Sequence, residues 1–211
     1  MAKKKEKGVI VLKKINIKKF QLTIVGDSPL ICHKWSSKAK KEMLDKQMQE
    51  PATKKGAKDP VRDYCESLYW LDKNGEHMEV IPDNMDPSQH KFGFGFPVSG
   101  IKSAIVESVR NVDGLNMTLM RGALHIDGMM AKINGIPNMR EDMVRIGQGT
   151  ADLRYRGEFK KWFIAFIVKY NADVLSAEQI VNLVELSGFS VGIGEWRPQK
   201  DGTYGMYHVQ R

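Results

Sequence analysis

Trp196, Arg197, Lys200, Tyr204 and Tyr207 stand together in the stretch GFSVGIGEWRPQKDGTYGMYHV, residues 188–209, which also holds Gly188, Gly192, Gly194, Gly202 and Gly205. These residue types suit a nucleic-acid strand. Guanidinium and ammonium groups neutralise phosphates, and aromatic rings stack on bases. Glycines let the backbone approach a phosphate and present its N–H donors. The same stretch also reads as a plain hairpin, closed by an Asp201-Gly202 turn between Trp196 and Tyr204.

A second basic and aromatic stretch is RYRGEFKKW, residues 154–162. Strand alternation places Arg154 and Arg156 on one face and Tyr155 on the other. On an open sheet face the two guanidinium forks would hold phosphates; at a solvated edge they would pair with Asp152 and Glu158. Lys160 and Lys161 follow. Lys102 falls in the first turn of a helix, where free N–H groups and the dipole favour an anion. Lys34, beside His33 and Trp35, and Lys38, on a lysine-rich helix face, complete the candidate nucleic-acid contacts.

Signals for catalysis are poor. His33, His77, His90, His125 and His208 show no metal-ligand spacing with Cys32 or Cys65. There is no P-loop, G-x-S-x-G or H-E-x-x-H motif. GFGF at 93–96 lacks the full dinucleotide fingerprint. His125 and Asp127 would share a strand face, but one pair is not a site. No catalytic residue, metal or cofactor is assigned.

The chain that must position these residues has 211 of them, with 42% hydrophobic and 27% charged, enough for a sizeable core. Its net charge of +8 is lopsided: residues 1–60 carry +10 and the remainder −2. A lysine-rich arm beside a near-neutral body suits a polyanion, RNA or single-stranded DNA; lysine tails also serve solubility alone. No run of about 18 apolar residues suggests a membrane span, and the basic start reads as no secretory signal. Two cysteines suggest no disulfide framework, and a reducing, cytoplasmic compartment is the simplest inference.

The pattern along the chain predicts a flexible basic arm over 1–14 and a single domain over 15–211. KKFQLTIVG alternates Phe20, Leu22 and Ile24 on one face, as a strand does. A helix is expected from Ser36 or Ser37, with Met43, Leu44 and Gln47 along one side. Glu50–Pro60 reads as a flexible loop. SLYWLDKNGEHMEVIP suggests two strands around an Asn74-Gly75 turn, and PDNMDPSQHKFGFGFP a loop. Ser99 is expected to cap a core-facing helix with Ile101, Ala104, Ile105 and Val109. Short strands and Gly turns should fill 115–150. EFKKWFIAFIVKY is apolar on both pleat faces, which suits a central strand. Ser176 and Gln179 form a capping box for a helix that should stop at Gly188. This order implies an α+β fold: a ferredoxin-like or RRM-like antiparallel sheet, helices on one face, and a lysine-rich insertion at about 36–95. Such a sheet leaves its other face free, where RRM-type modules bind single-stranded RNA.

Three short motifs occur in a meaningful order: GDSPLICHK at 26–34, FPVSGIKSAIVESV at 96–109 and GIGEWRPQKDGTYGMYHV at 192–209. Together they resemble the RAMP superfamily, the RRM-like proteins that form CRISPR effector backbones. In that family the first strand runs into an SPL-x-I turn, here Ser28, Pro29, Leu30 and Ile31. A P-x-S-S-x-K turn opens the main helix, here Pro97, Ser99, Gly100 and Lys102, with glycine in place of the second serine. A glycine-rich basic loop follows the second helix, here lengthened by EWRPQKD. RNA-cleaving members carry an aspartate in the loop after the first motif; Asp45, Asp59 and Asp63 stand in that region and none aligns.

The resemblance implies a non-catalytic RNA- or single-strand-binding protein that assembles side by side along its ligand with copies of itself or related subunits. Two other readings remain open. One is a structural or interaction protein of a phage or mobile element that oligomerises or blocks a nucleic-acid machine. The other is a metal-independent RNA endonuclease using His33 or His208 as acid or base.

Overall fold

The computed structural model describes residues 13–51, 57–81, 86–146 and 149–211. Most of the expected basic arm, and Lys54 and Lys55 of the expected loop, lie outside the described residues.

The chain opens with β1 (Ile17–Gly26), where Phe20, Leu22 and Ile24 alternate inward as expected. A turn leads into β2 (Leu30–Cys32), buried throughout. Helix α1 (Ser37–Gln47) starts at Ser36, whose hydroxyl accepts the Ala39 N–H at 3.1 Å, yet none of its residues is buried. The end of the expected loop is instead the start of α2 (Pro60–Glu66), capped by Asp59 with proline at the first helical position. The hairpin expected around Asn74-Gly75 is only half formed. β3 (Tyr69–Trp70) is followed by a single Leu71–His77 bridge. Asp72 closes the turn by accepting the Asn74 and Glu76 N–H groups. Beyond the bridge, Glu79 and Val80 are exposed, and Met78 and Ile81 pack against the core without extending the ladder.

β4 (Phe94–Pro97) replaces part of an expected loop. Its Phe-Gly alternation has period two: both phenylalanines are buried on one face, and on the other Gly95 leaves room for the Leu71 and Met130 side chains. The strand runs directly into α3 (Val98–Ser108), so Pro97 takes the cap position without a side-chain bond and Ser99 lies inside the helix, against expectation. α4 (Met117–Ala123), capped by Asn116, falls among the expected short strands. Then come β5 (Leu124–Ile126), β6 (Met130–Asn134), β7 (Pro137–Ile146), β8 (Thr150–Phe159) and β9 (Phe163–Asn171), helix α5 (Ala177–Ser190), and β10 (Tyr207–Val209).

The main sheet has the order β10-β1-β9-β6-β4-β3, antiparallel throughout, with β5 and β6 end to end along one edge of β9. Reading only β1, α3, β5 with β6, β9, α5 and β10, the strand order is that of a ferredoxin-like, RRM-like α+β fold. Leu22, Ile24, Ile133, Ile164, Phe166 and Val168 join Ile101, Ile105, Ile180 and Val184 of α3 and α5 in the core. The other sheet face is open. Phe163 is 45% and Ile167 39% exposed, so β9 is central but covered on one side only. Across from Ile167 and Ala165 stand Gln21 and Thr23, polar neighbours that ask for no cover. A second, three-stranded sheet has the order β2-β8-β7 and carries α2 on β8, where the Gly157 N–H donates to Ser67 Oγ at 2.8 Å.

The capping box of Ser176 and Gln179 is present. α5 passes Gly188 and ends at Ser190, because Gly188 is a crossing point: its Cα faces the Tyr207 carbonyl of β10, and no side chain fits between them. The reversal comes at Gly192, φ +66°, where the Val191 and Gly192 N–H groups both reach the Ser187 carbonyl, at 3.0 and 2.8 Å. Both cysteines are buried and neither forms a disulfide, and burial pushes the Cys32 thiol up to about 12. Among the described residues no helix is long and apolar enough to cross a membrane.

Candidate nucleic-acid interface

The three motifs, far apart in sequence, meet at one cleft. The turn at 28–31 and the glycine-rich loop are stitched together by backbone bonds. The Gly205 N–H donates to Pro29 O at 2.8 Å, Glu195 N–H to Ile31 O at 3.0 Å, and Met206 N–H to Ser28 Oγ at 3.0 Å. Gly194, φ +81°, lets this happen: a Cβ there would lie 2.5 Å from the Ile31 carbonyl. The Glu195 and Gly205 amides are therefore used within the protein and are not phosphate donors. The third motif supplies the opposite wall. Ser99, Gly100 and Ser103 of α3 face Gly192, Gly194, Arg197 and Gln199 across a cleft of about 500 Å³. The α3 N-terminus, lacking a side-chain cap, opens into it, and such a turn leaves N–H groups without intrahelical partners. Glycine at position 100 also has a local cause. A Cβ there would meet the Phe96 ring at 2.9 Å, so the usual serine would crowd the core.

His33 stands at the end of this cleft with Nδ1 2.9 Å from Glu195 Oε1. That bond holds the Glu195 carboxyl below the usual glutamate range, against the opposing pull of its partial burial. Arg197 is held in the wall, its Nη1 donating to Gly194 O at 3.0 Å and its Nε and Nη2 to Gln199 Oε1. Trp196 is 42% exposed at φ +54°, an unusual backbone for a tryptophan. The Tyr204 N–H bonds Trp196 O, and a 3₁₀ turn at Pro198–Lys200 with Asp201 at φ +58° replaces a two-residue hairpin. Lys200 is exposed on that turn, and Tyr204 lies under Arg140, whose Cζ is 4.6 Å from the ring centre.

Several expected contacts stand elsewhere. Tyr207 is buried, its hydroxyl 2.6 Å from Ser187 Oγ, and burial pushes that hydroxyl's pKa up. Tyr207 cannot stack on a base, because its strand position points into the core below α5. Tyr207→Phe should leave single-strand binding at its wild-type value and lower stability by about 1 kcal/mol, the usual worth of one buried hydrogen bond. A loss of binding at unchanged stability would restore Tyr207 to the interface.

Arg156 does not lie on an open face. It is 3% exposed, with Nη1 3.1 Å from Asp142, while Arg140 bonds Asp142 at 2.8 Å and Glu158 at 2.7 Å. This network follows the β7–β8 register, which sets Arg140 opposite Arg156 and Asp142 opposite Arg154. The IGQG turn signal could have revealed it by aligning REDM with RYRGE across the hairpin. Arg154, partly exposed, is 3.6 Å from Asp152. Lys102 is turned from the cleft: its Nζ donates to Arg121 O at 2.9 Å and lies 3.2 Å from His125 Nδ1, and burial lowers its pKa. It ties α3 to α4 instead of serving the helix N-terminus. Lys160 and Lys161 are exposed between β8 and β9, and Lys38 is exposed on α1. Lys34 is buried and lines a separate cavity with Arg154 and Arg156. His33 pairs with Glu195, and His208 with Asp27 at 2.6 Å, across separations in the chain that no local pattern reveals. Among the described residues no group of three or more His, Cys, Asp or Glu could hold a metal ion.

No family model matches the chain, and no curated protein does either. Solved structures do. A chain of the type III-B Cmr-beta structure, determined by cryo-electron microscopy bound to cognate target RNA, superposes with a TM-score of 0.53 at 10% identity, over 92% of this chain and 59% of that one. This chain therefore spans somewhat over half the length of that relative in structure. The crystal structure of Cmr6 from Pyrococcus furiosus matches at a TM-score of 0.42 and 10% identity, over 93% of this chain and 100% of that one. With the strand order above, the first of these likenesses gives the conclusion on fold: the chain has the RRM-like α+β fold that its resemblance to the RAMP superfamily implies.

Proposed function

We propose that the chain is a RAMP-type protein that binds single-stranded nucleic acid, RNA in the first place, in the cleft between the glycine-rich loop and the N-terminus of α3. The observation that carries this reading is the convergence of all three motifs on that one cleft. Arg197 lines it with a fixed guanidinium and its chain neighbour Trp196 carries an exposed ring, the two groups that pair with phosphates and stack on bases. The Cmr-beta relative in structure was solved with RNA bound, which supports the same ligand. We infer also that residues 36–95 are an insertion between the first strand and the main helix, and that copies or related subunits assemble side by side along the strand.

The test is a binding titration with single-stranded RNA and DNA beside thermal melts. Trp196→Ala should cost about 1–3 kcal/mol of binding without lowering the melting temperature, since the ring is no part of the core. Arg197→Ala with Lys200→Ala should weaken binding and flatten its salt dependence. Wild-type binding in both variants would overturn the reading. On longer strands the mass of the complex should rise in steps with strand length.

A second reading is favoured by one observation, the His33–Glu195 pair at the end of the cleft. A carboxylate-oriented imidazole is the arrangement of a general base. Labelled RNA incubated in chelator decides: intact RNA leaves a binding protein, and cleavage abolished by His33→Ala makes it a nuclease.

A further inference from the structure

Beyond the His33–Glu195 pair lies a second and larger cavity, of about 590 Å³, which the three motifs touch only through His33 and Lys34. That volume is in the range of small-ligand sites, roughly 300–1,000 Å³. Its floor is β8, through Arg154, Tyr155 and Arg156. One wall is the segment after β2, His33 to Ser36, tied to α2 by the Lys34 N–H bond to Ser67 O at 2.9 Å. Its roof is the face of α1 that carries Ala39, Met43 and Lys46. This explains how a helix with no buried residue can lie where it does: it covers a hollow instead of a core.

The cavity holds charge that the protein does not balance within it. Lys58 and Arg154 share Asp152, at 2.7 and 3.6 Å. Lys34 and Lys46 line it with the carboxyls of Glu42 and Asp63, and Arg156 gives Nη1 to Asp142 at 3.1 Å, outside the lining. Burial raises the Asp63 carboxyl's pKa, with Lys58 opposing. Lys34 is 8% exposed, and burial lowers its pKa, with Glu79 and Glu66 opposing and Lys40 adding to the fall. Most telling is Arg156. Its Nε is the one buried side-chain nitrogen or oxygen without a hydrogen-bond partner among the described residues. Buried donors are nearly always satisfied, and an orphan points to a missing acceptor. Trp35, 54% exposed, presents an indole at the same cavity.

We propose that this cavity binds a phosphorylated nucleotide, with Arg156 and Lys34 on the phosphate and Trp35 against the base. The choice of a nucleotide as the phosphate's carrier rests on the nucleic-acid reading above. The shared chemistry has two sources, a free nucleoside monophosphate and the phosphorylated end of a strand.

Calorimetry with the full chain separates them. The probes are uridine, UMP, AMP, and two oligonucleotides that differ only in a terminal phosphate. UMP or AMP should bind and uridine should not. If strand ends are the source, the terminal phosphate should also tighten oligonucleotide binding by roughly tenfold or more. Lys34→Met removes a charge that burial disfavours, so the variant should fold, and it should lose the phosphate-dependent binding. Trp35→Ala should weaken the monophosphate roughly tenfold. Equal binding of uridine and UMP, no binding of either monophosphate, or phosphate-dependent binding that survives Lys34→Met would each overturn the proposal. If oligonucleotides bind without a phosphate increment and no monophosphate binds, the cavity proposal falls while the strand-binding cleft stands. If monophosphates bind and strands do not, the cavity stands as a free-nucleotide site and the strand-binding reading falls.

Discussion

Arg156→Ala should destabilise the protein by about 3–5 kcal/mol, the cost of breaking a buried ion pair from one side. Arg156 is almost wholly enclosed between β7 and β8 and pairs with Asp142 there. Alanine would leave Asp142 with Arg140 alone, and Arg140 is already shared with Glu158. It would also open a space at the floor of the cavity. Urea or thermal unfolding measures the effect, with Arg154→Ala as the comparison. Arg154 lies two residues away on the same strand face, but it is partly exposed and pairs loosely with Asp152. Its loss should cost about 0–1 kcal/mol. Equal and small losses in the two variants would mean that the network holds nothing together.

Trp162→Ala should cost a similar amount, about 3–5 kcal/mol, through the cavity left by a large buried ring. It is 3% exposed, and its ring covers Gly26 at the end of β1, where no larger residue fits. Its Nε1–H donates to Ser28 O at 2.9 Å, and its ring meets Tyr207 edge to face at 6.3 Å. The side chain therefore pins the turn at 28–31, to which the glycine-rich loop is bonded. Single-strand binding should fall with stability in this variant, because the loop loses its support. Trp162→Phe keeps most of the apolar contact and gives up only the N–H bond, so it should recover most of the stability and the binding. A Trp162→Ala protein that melts at the wild-type temperature would show that the turn is held by its backbone bonds alone.

Much of the architecture is legible in local patterns. The alternation of Phe20, Leu22 and Ile24, the helical spacing of Ile101 and Ile105, and the Ser176–Gln179 box each describe an element through neighbours a few residues apart, and all three elements are present. The errors share a cause as well. Phe94–Pro97 looked like a glycine loop because Gly95 stands where Leu71 and Met130 leave no room for a side chain. α4 has seven residues, too few to show a helical period. Gly188 reads as a helix stop in one dimension and is a crossing point in three.

For the candidate site, the sequence by itself determined which residue types are available and that three motifs stand in order. It also determined the glycine positions and that Trp196, Arg197 and Lys200 stand among them. Tertiary structure decided which of the basic and aromatic residues face a ligand. Tyr207 and Arg156 were drawn into the interior, Lys102 was turned onto α4, and Lys34 was set in a cavity under α1. Only folding could decide this. Whether a charge meets solvent, a phosphate or a carboxylate depends on what lies across from it. Here the partners that answer are Asp142, Arg121, Ser187 and Glu195, and each comes from another element or loop, brought there by strand register and helix packing.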